Sequence, residues 1–545
     1  MPEIALTTAS DAADVALATT EHCDAVVVGA GIGGLVAASL LAGRGLSVLV
    51  LDRHSVAGGN ATIFRRRGYE FDVGLHYVGG CHAGGALPAV LAAAGAGGVR
   101  FLELDPEGYD ELVLPGLRLA VPRGLPRWRD RLVAAFPSER RGLDRYARLL
   151  AQMKRSLDVW HRPGSLLAQS LRSPQLLRWS LSSFASFLRS CTRDPALTAA
   201  LAAQHVGYAL PPSRASTLVG AGIALHYLEG AWYPSGGGQA LADALADAIR
   251  ARGGRIALRT GARRIVVERG RVQGVELDDG RVVRAPVVIS NADLKSTLLE
   301  LVGAPALRPA TARRARGYAM AAPLGVAYVG LRGDLRAAGQ PPRNAWVLPD
   351  LDLEAEYVQA AAGRLPDRPA LFVTIASLKD ARHAGLAPPG ISNVQLMGVA
   401  PSAPQAWGVA EDEVADGRYR RQPAYRERKR EYGERLLGVA ALLWPDLAGR
   451  VEYLEVSTPL THRRYTGSTG GTGYGLAATP DQMLWRRPGA RTEIAGLYLC
   501  GASCRSGHGI VGAALSGVFA AAAVLPGRLA VEVLGPRLAS RAAAG

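Results

Sequence analysis

The segment Gly29-Ala30-Gly31-Ile32-Gly33-Gly34 repeats glycine at the spacing G-x-G-x-x-G, a pattern that brings bare backbone against a pyrophosphate. Gly29 permits the tight turn, Gly31 lets the chain approach the phosphates, and Gly34 lets a helix lie close on a strand. Downstream, Asp52 offers a carboxylate to a ribose hydroxyl. Asp52-Arg53 followed by Gly58-Gly59-Asn60 would carry a second stretch of backbone to the ribose and diphosphate. Near the far end of the chain, Gly501 closes an apolar run, and Gly509-Ile510-Val511 opens an apolar helix. A helix start of that kind aims N–H groups at the polar edge of an aromatic ring system such as an isoalloxazine.

These residues need particular elements to hold them. The run Ala25–Val28 reads as a buried strand, Leu35–Leu41 as a helix, and Leu46–Leu51 as a second strand ending at Asp52. Strand, glycine turn, helix, strand and acid in that order make a dinucleotide-binding unit. Thr62–Phe64 and Tyr69–Asp72 read as a hairpin joined through Arg65-Arg66-Arg67-Gly68. Strands at Arg264–Glu268, Val272–Leu277 and Val282-Val283, parted by Arg269-Gly270 and Asp278-Asp279-Gly280, form a β-meander. Between these blocks, Leu143, Tyr146, Leu149, Leu150 and Met153 recur at helical spacing. With Leu176–Leu188 they predict a helical region, in the plainer reading a subdomain with an ordinary buried face, and otherwise a cap over the substrate or a surface resting on a membrane. A later mixed region offers strands at Leu324–Val329, Ala370–Ile375 and Ser392–Val399.

A site that draws on both chain ends suits FAD, a long and buried dinucleotide, better than NAD, which sits on contiguous βαβ units. The fold expected is α/β: a Rossmann-like FAD-binding domain of the glutathione-reductase type with a β-meander, and an interleaved α+β substrate domain with a helical cap. The expected FAD-binding segments are 21–110, 233–300 and 452–530. The substrate and cap segments are 111–232 and 301–451, with a flexible leader at 1–20 and a flexible tail at 531–545.

Composition narrows the classes. The chain has 545 residues, 48% hydrophobic and 20% charged, in keeping with a well-packed globular protein. Its net charge of +16 comes almost wholly from arginine, because lysine occurs only at 154, 295, 379 and 429. No nucleic-acid motif accompanies that charge, so an acidic membrane face fits better than nucleic acid. The five cysteines have no disulfide or metal-ligand spacing, and no metal site is expected. They suit a reducing compartment, and the residues before Thr20 lack the features of a signal peptide. The location expected is cytoplasmic, with a peripheral contact on the inner face of the membrane as an option.

Taken together, Gly29-x-Gly31-x-x-Gly34, Asp52, Gly58-Gly59, Phe71-Asp72-x-Gly74, Tyr233-Pro234-x-Gly236-Gly237 and Gly496-Leu497-Tyr498-Leu499-x-Gly501 resemble the FAD-dependent superfamily of phytoene desaturases, carotenoid isomerases and retinol saturases. The resemblance implies that Gly29, Gly31, Ile32, Gly33 and Gly34 serve the diphosphate and Asp52 the ribose. It also implies that Ala262 serves the adenine, and Gly501, Gly509, Ile510 and Val511 the flavin. Two positions depart from the desaturases: Asn60 replaces a common arginine, and Leu75-His76-Tyr77 replaces proline with a small hydroxyl residue. The Gly74-x-His76-Tyr77-x-Gly79 segment is closer to the retinol-saturase branch.

The expected chemistry is saturation or desaturation of carbon–carbon double bonds in a long apolar polyene. Saturation needs a proton donor, for which His76, Tyr77 and His508 are the candidates. No second dinucleotide fingerprint is present, so electrons would pass to or from an external partner, a quinone or a reduced nicotinamide or flavin system. An amine-oxidase-like flavoprotein using Lys295 and a non-enzymatic flavin-bearing membrane adaptor are the rival readings.

Overall fold

The computed structural model describes residues 20–160, 174–383 and 385–535. The expected leader up to residue 19, the tail from 536 and the middle of the helical region, 161–173, lie outside them.

Two sheets organise the molecule. The first has five strands in the order Arg255–Ala257, Val48–Leu51, Ala25–Val28, Val287–Ser290, Leu497–Leu499. Every neighbour pair in it is parallel. Ala25–Val28 and Val48–Leu51 are buried along their whole length, which explains why they read as unbroken apolar runs rather than alternating ones. Val288 pairs with both Val26 and Leu497, so one strand joins the two ends of the chain. Helix Ile32–Ala42 leaves the first strand and is buried throughout. It packs on helix Gly509–Val524, and small residues set how close they come. A Cβ on Gly517 would fall 2.3 Å from the Gly33 carbonyl oxygen, and one on Gly33 would fall 2.9 Å from that of Ala513.

The meander forms as the spacing predicts, over Ala262–Glu268, Arg271–Leu277 and Val282–Arg284. Thr20–His22 adds to it in parallel, so Thr20 belongs to a strand and not to the expected leader.

The second sheet has seven strands, in the order Val451–Ser457, Leu324–Arg332, Ile391–Val399, Leu371–Ile375, Asn344–Val347, Asp110–Leu114, Leu117–Val121. It is antiparallel except where Asn344–Val347 runs parallel to Asp110–Leu114. Two expected boundaries therefore move. Val451–Ser457 spans position 452 and Asp110 opens a strand, yet both belong to this second sheet through their hydrogen bonds. The tail boundary moves too: residues 531–535 are helical, and Leu529, Val533 and Leu534 are buried in the core of the parallel sheet.

The helical stretch Arg140–Trp160 buries Leu143, Tyr146, Leu150 and Met153, four of the five residues picked out by their spacing, and leaves Leu149 half-buried. With Phe184–Arg189 and Thr217–Leu228 it covers one end of the second sheet. No helix among the described residues is long and apolar enough to cross a membrane.

Candidate active site

One cavity of about 2270 Å³ runs between the two sheets. Gly29, Gly31, Ile32 and Gly33 line it, and so do Gly58, Gly59, Gly501, Gly509 and Ile510 from distant parts of the chain. The turn depends on glycine where the backbone is left-handed, as at Gly29 with φ +98°. Helix Ile32–Ala42 has Gly31 as N-cap, and helix Gly509–Val524 has His508; neither N-cap gives a side-chain hydrogen bond. Two helix starts therefore bring uncapped N–H groups to one cavity, the arrangement that attracts phosphate and carbonyl oxygens. A Cβ on Gly59 would sit 3.2 Å from the Gly31 Cα, so two glycine segments make a bare cradle from backbone alone. Ala262 lines the cavity at the meander, beside Gly261 and Thr260. The cradle thus runs from the meander past both helix starts, and it fits a long dinucleotide.

Gly34 and Val511 are not in the cavity wall. A Cβ on Gly34 would meet the Gly29 carbonyl oxygen at 2.2 Å, so its role is the close packing of helix on turn. Val511 is half-buried and packs against the core of the parallel sheet, so its side chain is not among those that line the cavity.

Asp52 lies at the cavity edge, and its carboxylate braces the turn. Its Oδ2 accepts the Ala30 N–H at 2.7 Å and its Oδ1 the His54 N–H at 2.8 Å. Burial raises its pKa, while these two N–H groups oppose the rise. Arg53 donates to the Arg464 carbonyl oxygen at 2.8 Å and closes that edge. Asn60 donates to the Gly473 carbonyl oxygen at 3.1 Å and accepts from His462 Nε2 at 2.9 Å.

Beyond the cradle the wall becomes apolar. Leu324 and Val326, from the second sheet, face it together with Tyr328 and Met397, and the hairpin adds Ile63 and Phe64. Val326, Met397 and Phe372 sit side by side in register on three neighbouring strands.

The three expected proton donors separate. His76 lines the cavity, is buried, and has its pKa pulled down to about 3, first by burial and then by the charge of Lys379. Tyr77 faces away from the cavity: it stacks on Tyr227 with ring centroids 3.9 Å apart and donates to Asp110 Oδ2 at 3.2 Å. Its hydroxyl is committed to the core, which corrects its expected place in the site. His508 stands behind the wall, edge-on to Tyr474 at 5.2 Å, and burial lowers its pKa to about 4. At pH 7 both imidazoles are neutral, so neither carries the extra proton that an acid catalyst must give up.

Several site residues escape a reading of the sequence. Asn291 follows the strand Val287–Ser290, donates to the Gly29 carbonyl oxygen at 3.4 Å and accepts from Cys500 Sγ at 3.4 Å. A polar residue at the carboxyl end of a parallel strand is the signal that could have found it. His462, its pKa lowered to about 4 by burial, and Tyr474 and Tyr328, each raised to about 12 by burial, also line the cavity. Cys500 and Cys504, by contrast, flank Gly501 in sequence as small residues expected near the cofactor, and they line the cavity as free, buried thiols. Lys379 sits behind His76, in the segment after Leu371–Ile375, and donates to the His76 carbonyl oxygen at 2.6 Å. Burial depresses its pKa to about 7, with Asp72 and Asp110 opposing. Lys295 is half-buried, donates to the Arg316 carbonyl oxygen at 3.0 Å and is not in the cavity wall.

Comparison with known proteins agrees with this geometry. The family described as NAD(P)-binding Rossmann-like domain matches residues 27–94, and that described as flavin containing amine oxidoreductase matches 443–525. These are the two chain ends that meet in the cradle. The chain is 28% identical to human all-trans-retinol 13,14-reductase over 538 residues, covering 93% of this chain and 86% of the relative. It is also 28% identical to the chloroplastic prolycopene isomerase 1 of an Oncidium hybrid cultivar, covering 92% of this chain and 83% of the relative. Among solved structures, a putrescine oxidase bound to putrescine aligns with a TM-score of 0.61 at 16% identity, over 93% of this chain and 99% of the other. An oxidoreductase from Methanosarcina mazei aligns at 0.60 and 20% identity, over 92% and 99%. Those two likenesses concern the fold. The cofactor is FAD, and the chain is an FAD-dependent oxidoreductase similar over most of its length to all-trans-retinol 13,14-reductases and prolycopene isomerases.

Proposed function

We propose that the protein is an FAD-dependent oxidoreductase acting on carbon–carbon double bonds of a long apolar polyene or isoprenoid, of the carotenoid or retinoid kind. The observation that carries this reading is the continuity of one cavity. It begins as a bare glycine cradle and ends against Leu324, Val326, Tyr328 and Met397. Arg66, Lys429 and Glu455 also line this cavity, with Arg66 and Glu455 paired at 3.2 Å, and the Leu324, Val326, Met397 surface beside them offers a polyene an apolar corridor and alignment. The similarity to retinol reductases and prolycopene isomerases, matched over most of their length, supports the same reading. The amine-oxidase alternative loses its lysine, because Lys295 stands outside the cavity.

Bound FAD would supply the two-electron chemistry. The residues of this chain would do the rest. Gly31, Ile32 and Gly33 would hold the diphosphate, Asp52 and Arg53 the ribose, with Gly58, Gly59 and Asn60 closing the cradle. Ala262 would border the adenine, and Gly501, Gly509 and Ile510 the flavin. The apolar wall would exclude water and align the polyene. His76 and His462 are neutral at pH 7, whereas Tyr328 and Tyr474 keep their phenolic protons to about pH 12. A saturating enzyme would therefore draw its proton from one of these two hydroxyls or from water. Electrons would come from or go to an external partner, a quinone or a reduced nicotinamide or flavin system. Arg420, Arg421 and Arg426 are exposed beside the cavity, and with Lys429 they give it a basic rim suited to a peripheral contact with an anionic membrane.

Gly31→Ala tests the placement. Its Cβ would fall 2.6 Å from Asn291 Nδ2, the far end of a side chain that can turn aside, so the fold should survive. The expected product is a folded, colourless protein, checked by far-UV circular dichroism and flavin absorbance. A fully yellow variant removes the cradle. Anaerobic mixing of the wild type with a panel of polyenes then tests the reaction: bleaching of the oxidised flavin means desaturation, and reoxidation of the pre-reduced flavin means saturation. No response to any polyene defeats the reading.

A further inference from the structure

His76 presents a chemical oddity at the apolar end of the cavity. Its ring lies 5.9 Å from that of Phe372, at the end of the row Phe372, Met397, Val326. Its Nδ1 is sealed from solvent and has no hydrogen-bond partner among the described residues. Its Nε2 makes no hydrogen bond within the described residues either, but it is not sealed, and the ring forms part of the cavity wall.

Two facts fix the state of this ring. Lys379 donates to the His76 carbonyl oxygen at 2.6 Å and to the Thr374 hydroxyl, and its Nζ lies 5.4 Å from the Tyr233 ring centroid. It clamps the backbone from behind, and together with burial it keeps the imidazole from taking a second proton. The single proton of a neutral imidazole then sits on one nitrogen or the other. An N–H sealed at Nδ1 with no acceptor would forfeit a full hydrogen bond, whereas a lone pair sealed there is the lesser loss. The proton therefore belongs on Nε2, the nitrogen open to the cavity.

We propose that His76 is the specificity-determining contact for one oxygen atom on an otherwise apolar polyene, its Nε2–H donating to a hydroxyl or carbonyl oxygen of the substrate. The inference rests on the polyene reading above and narrows it to oxygenated polyenes. A buried donor left without its acceptor discriminates strongly against a substrate that lacks the oxygen.

The test compares a long-chain polyene alcohol with the hydrocarbon of the same skeleton, each titrated into the holoenzyme and followed by the flavin absorbance. Wild type should favour the alcohol, and His76→Phe should reduce that preference about 10- to 100-fold. His76→Gln, which restores an N–H donor, should recover part of it. An independent readout is the ¹⁵N spectrum of histidine-labelled wild-type holoenzyme at pH 7, expected to show His76 as the neutral Nε2–H tautomer. An unchanged preference in His76→Phe overturns the proposal, as does an Nδ1–H tautomer or an imidazolium. If His76→Phe does not fold, the His76→Gln preference and the wild-type spectrum decide in the same way. Failure of wild type to bind either polyene removes the polyene reading itself; binding without preference for the alcohol removes this inference alone.

Discussion

The two sheets handle burial in opposite ways. In the parallel sheet, Ala25–Val28, Val48–Leu51 and helix Ile32–Ala42 bury no charged side chain, and Ser39 is the one polar side chain buried in that helix. Around the seven-stranded sheet, Asp110, His205, Glu356 and Lys379 are all buried. The first region addresses its ligand with backbone dipoles and needs only small residues in tight places. The second shapes a chamber with side chains, and its buried ionisable groups must be paired or neutralised. The first should fail through lost space and tolerate pH, while the second should fail through lost partners and respond to pH.

The largest effect should come from overfilling the first region. Gly34→Val puts a Cβ 2.2 Å from the Gly29 carbonyl oxygen and 3.1 Å from Asn291 Cβ, where backbone must move. Overpacking costs of about 1–3 kcal/mol assume a core that can shift. With the Gly29 carbonyl held in the turn and Asn291 and Val27 side chains on the other sides, the cost should rival a whole domain's stability of about 5–15 kcal/mol. The expected outcome is no soluble folded protein on expression; a folded, yellow variant would break the distinction drawn between the two regions.

Next comes loss of a partner in the second region. Asp110 accepts from Trp346 Nε1 at 2.9 Å, Gln204 Nε2 at 3.0 Å, Tyr77 Oη at 3.2 Å and Asn344 Nδ2 at 3.2 Å. Asp110→Ala strands those four donors and should cost about 3–5 kcal/mol in urea unfolding. A loss under about 1 kcal/mol would mean the network is replaceable by water, contrary to the contrast.

The smallest effect is a change of slope with pH. Burial raises the Glu356 carboxyl from 4.5 to about 8, and lowers His205, 3.5 Å away, from 6.5 to about 3. Glu356 holds a proton in the folded protein that it loses on unfolding, so it takes stability away as pH climbs from about 4.5 to 8. His205 is lower when folded, so it takes stability away as pH falls below about 6.5. Above pH 6.5 only the glutamate effect remains of the pair. Glu356→Gln should therefore flatten the decline between pH 6.5 and 8, gaining about 1–3 kcal/mol over wild type at pH 8. Melting temperatures across that range provide the check, and parallel curves for the two proteins would show Glu356 ionised in the fold.

The same contrast explains what could be read in advance. The glycine cradle was legible because a backbone site writes itself as glycine spacing beside an apolar run, as at Gly29, Gly31 and Gly33. The meander was legible because its turns fall at Arg269-Gly270 and Asp279-Gly280. The strands Asn344–Val347 and Leu117–Val121 were not, because each is short and draws its stability from neighbours remote in sequence. No local signal marks Lys379, whose partners are His76, Thr374 and the ring of Tyr233. Tyr77 and Val511 sit beside true wall residues in sequence, and the sequence does not say which way each side chain turns.

By itself the sequence determined the dinucleotide site and its use of both chain ends, because glycine, helix start and strand are local requirements that fix residue type. Tertiary structure alone decided that the second sheet turns an apolar face to that site, that His76 reaches it neutral, and that Tyr77 does not reach it. Burial and long-range pairing set protonation and direction, and both depend on residues that meet only when the chain folds.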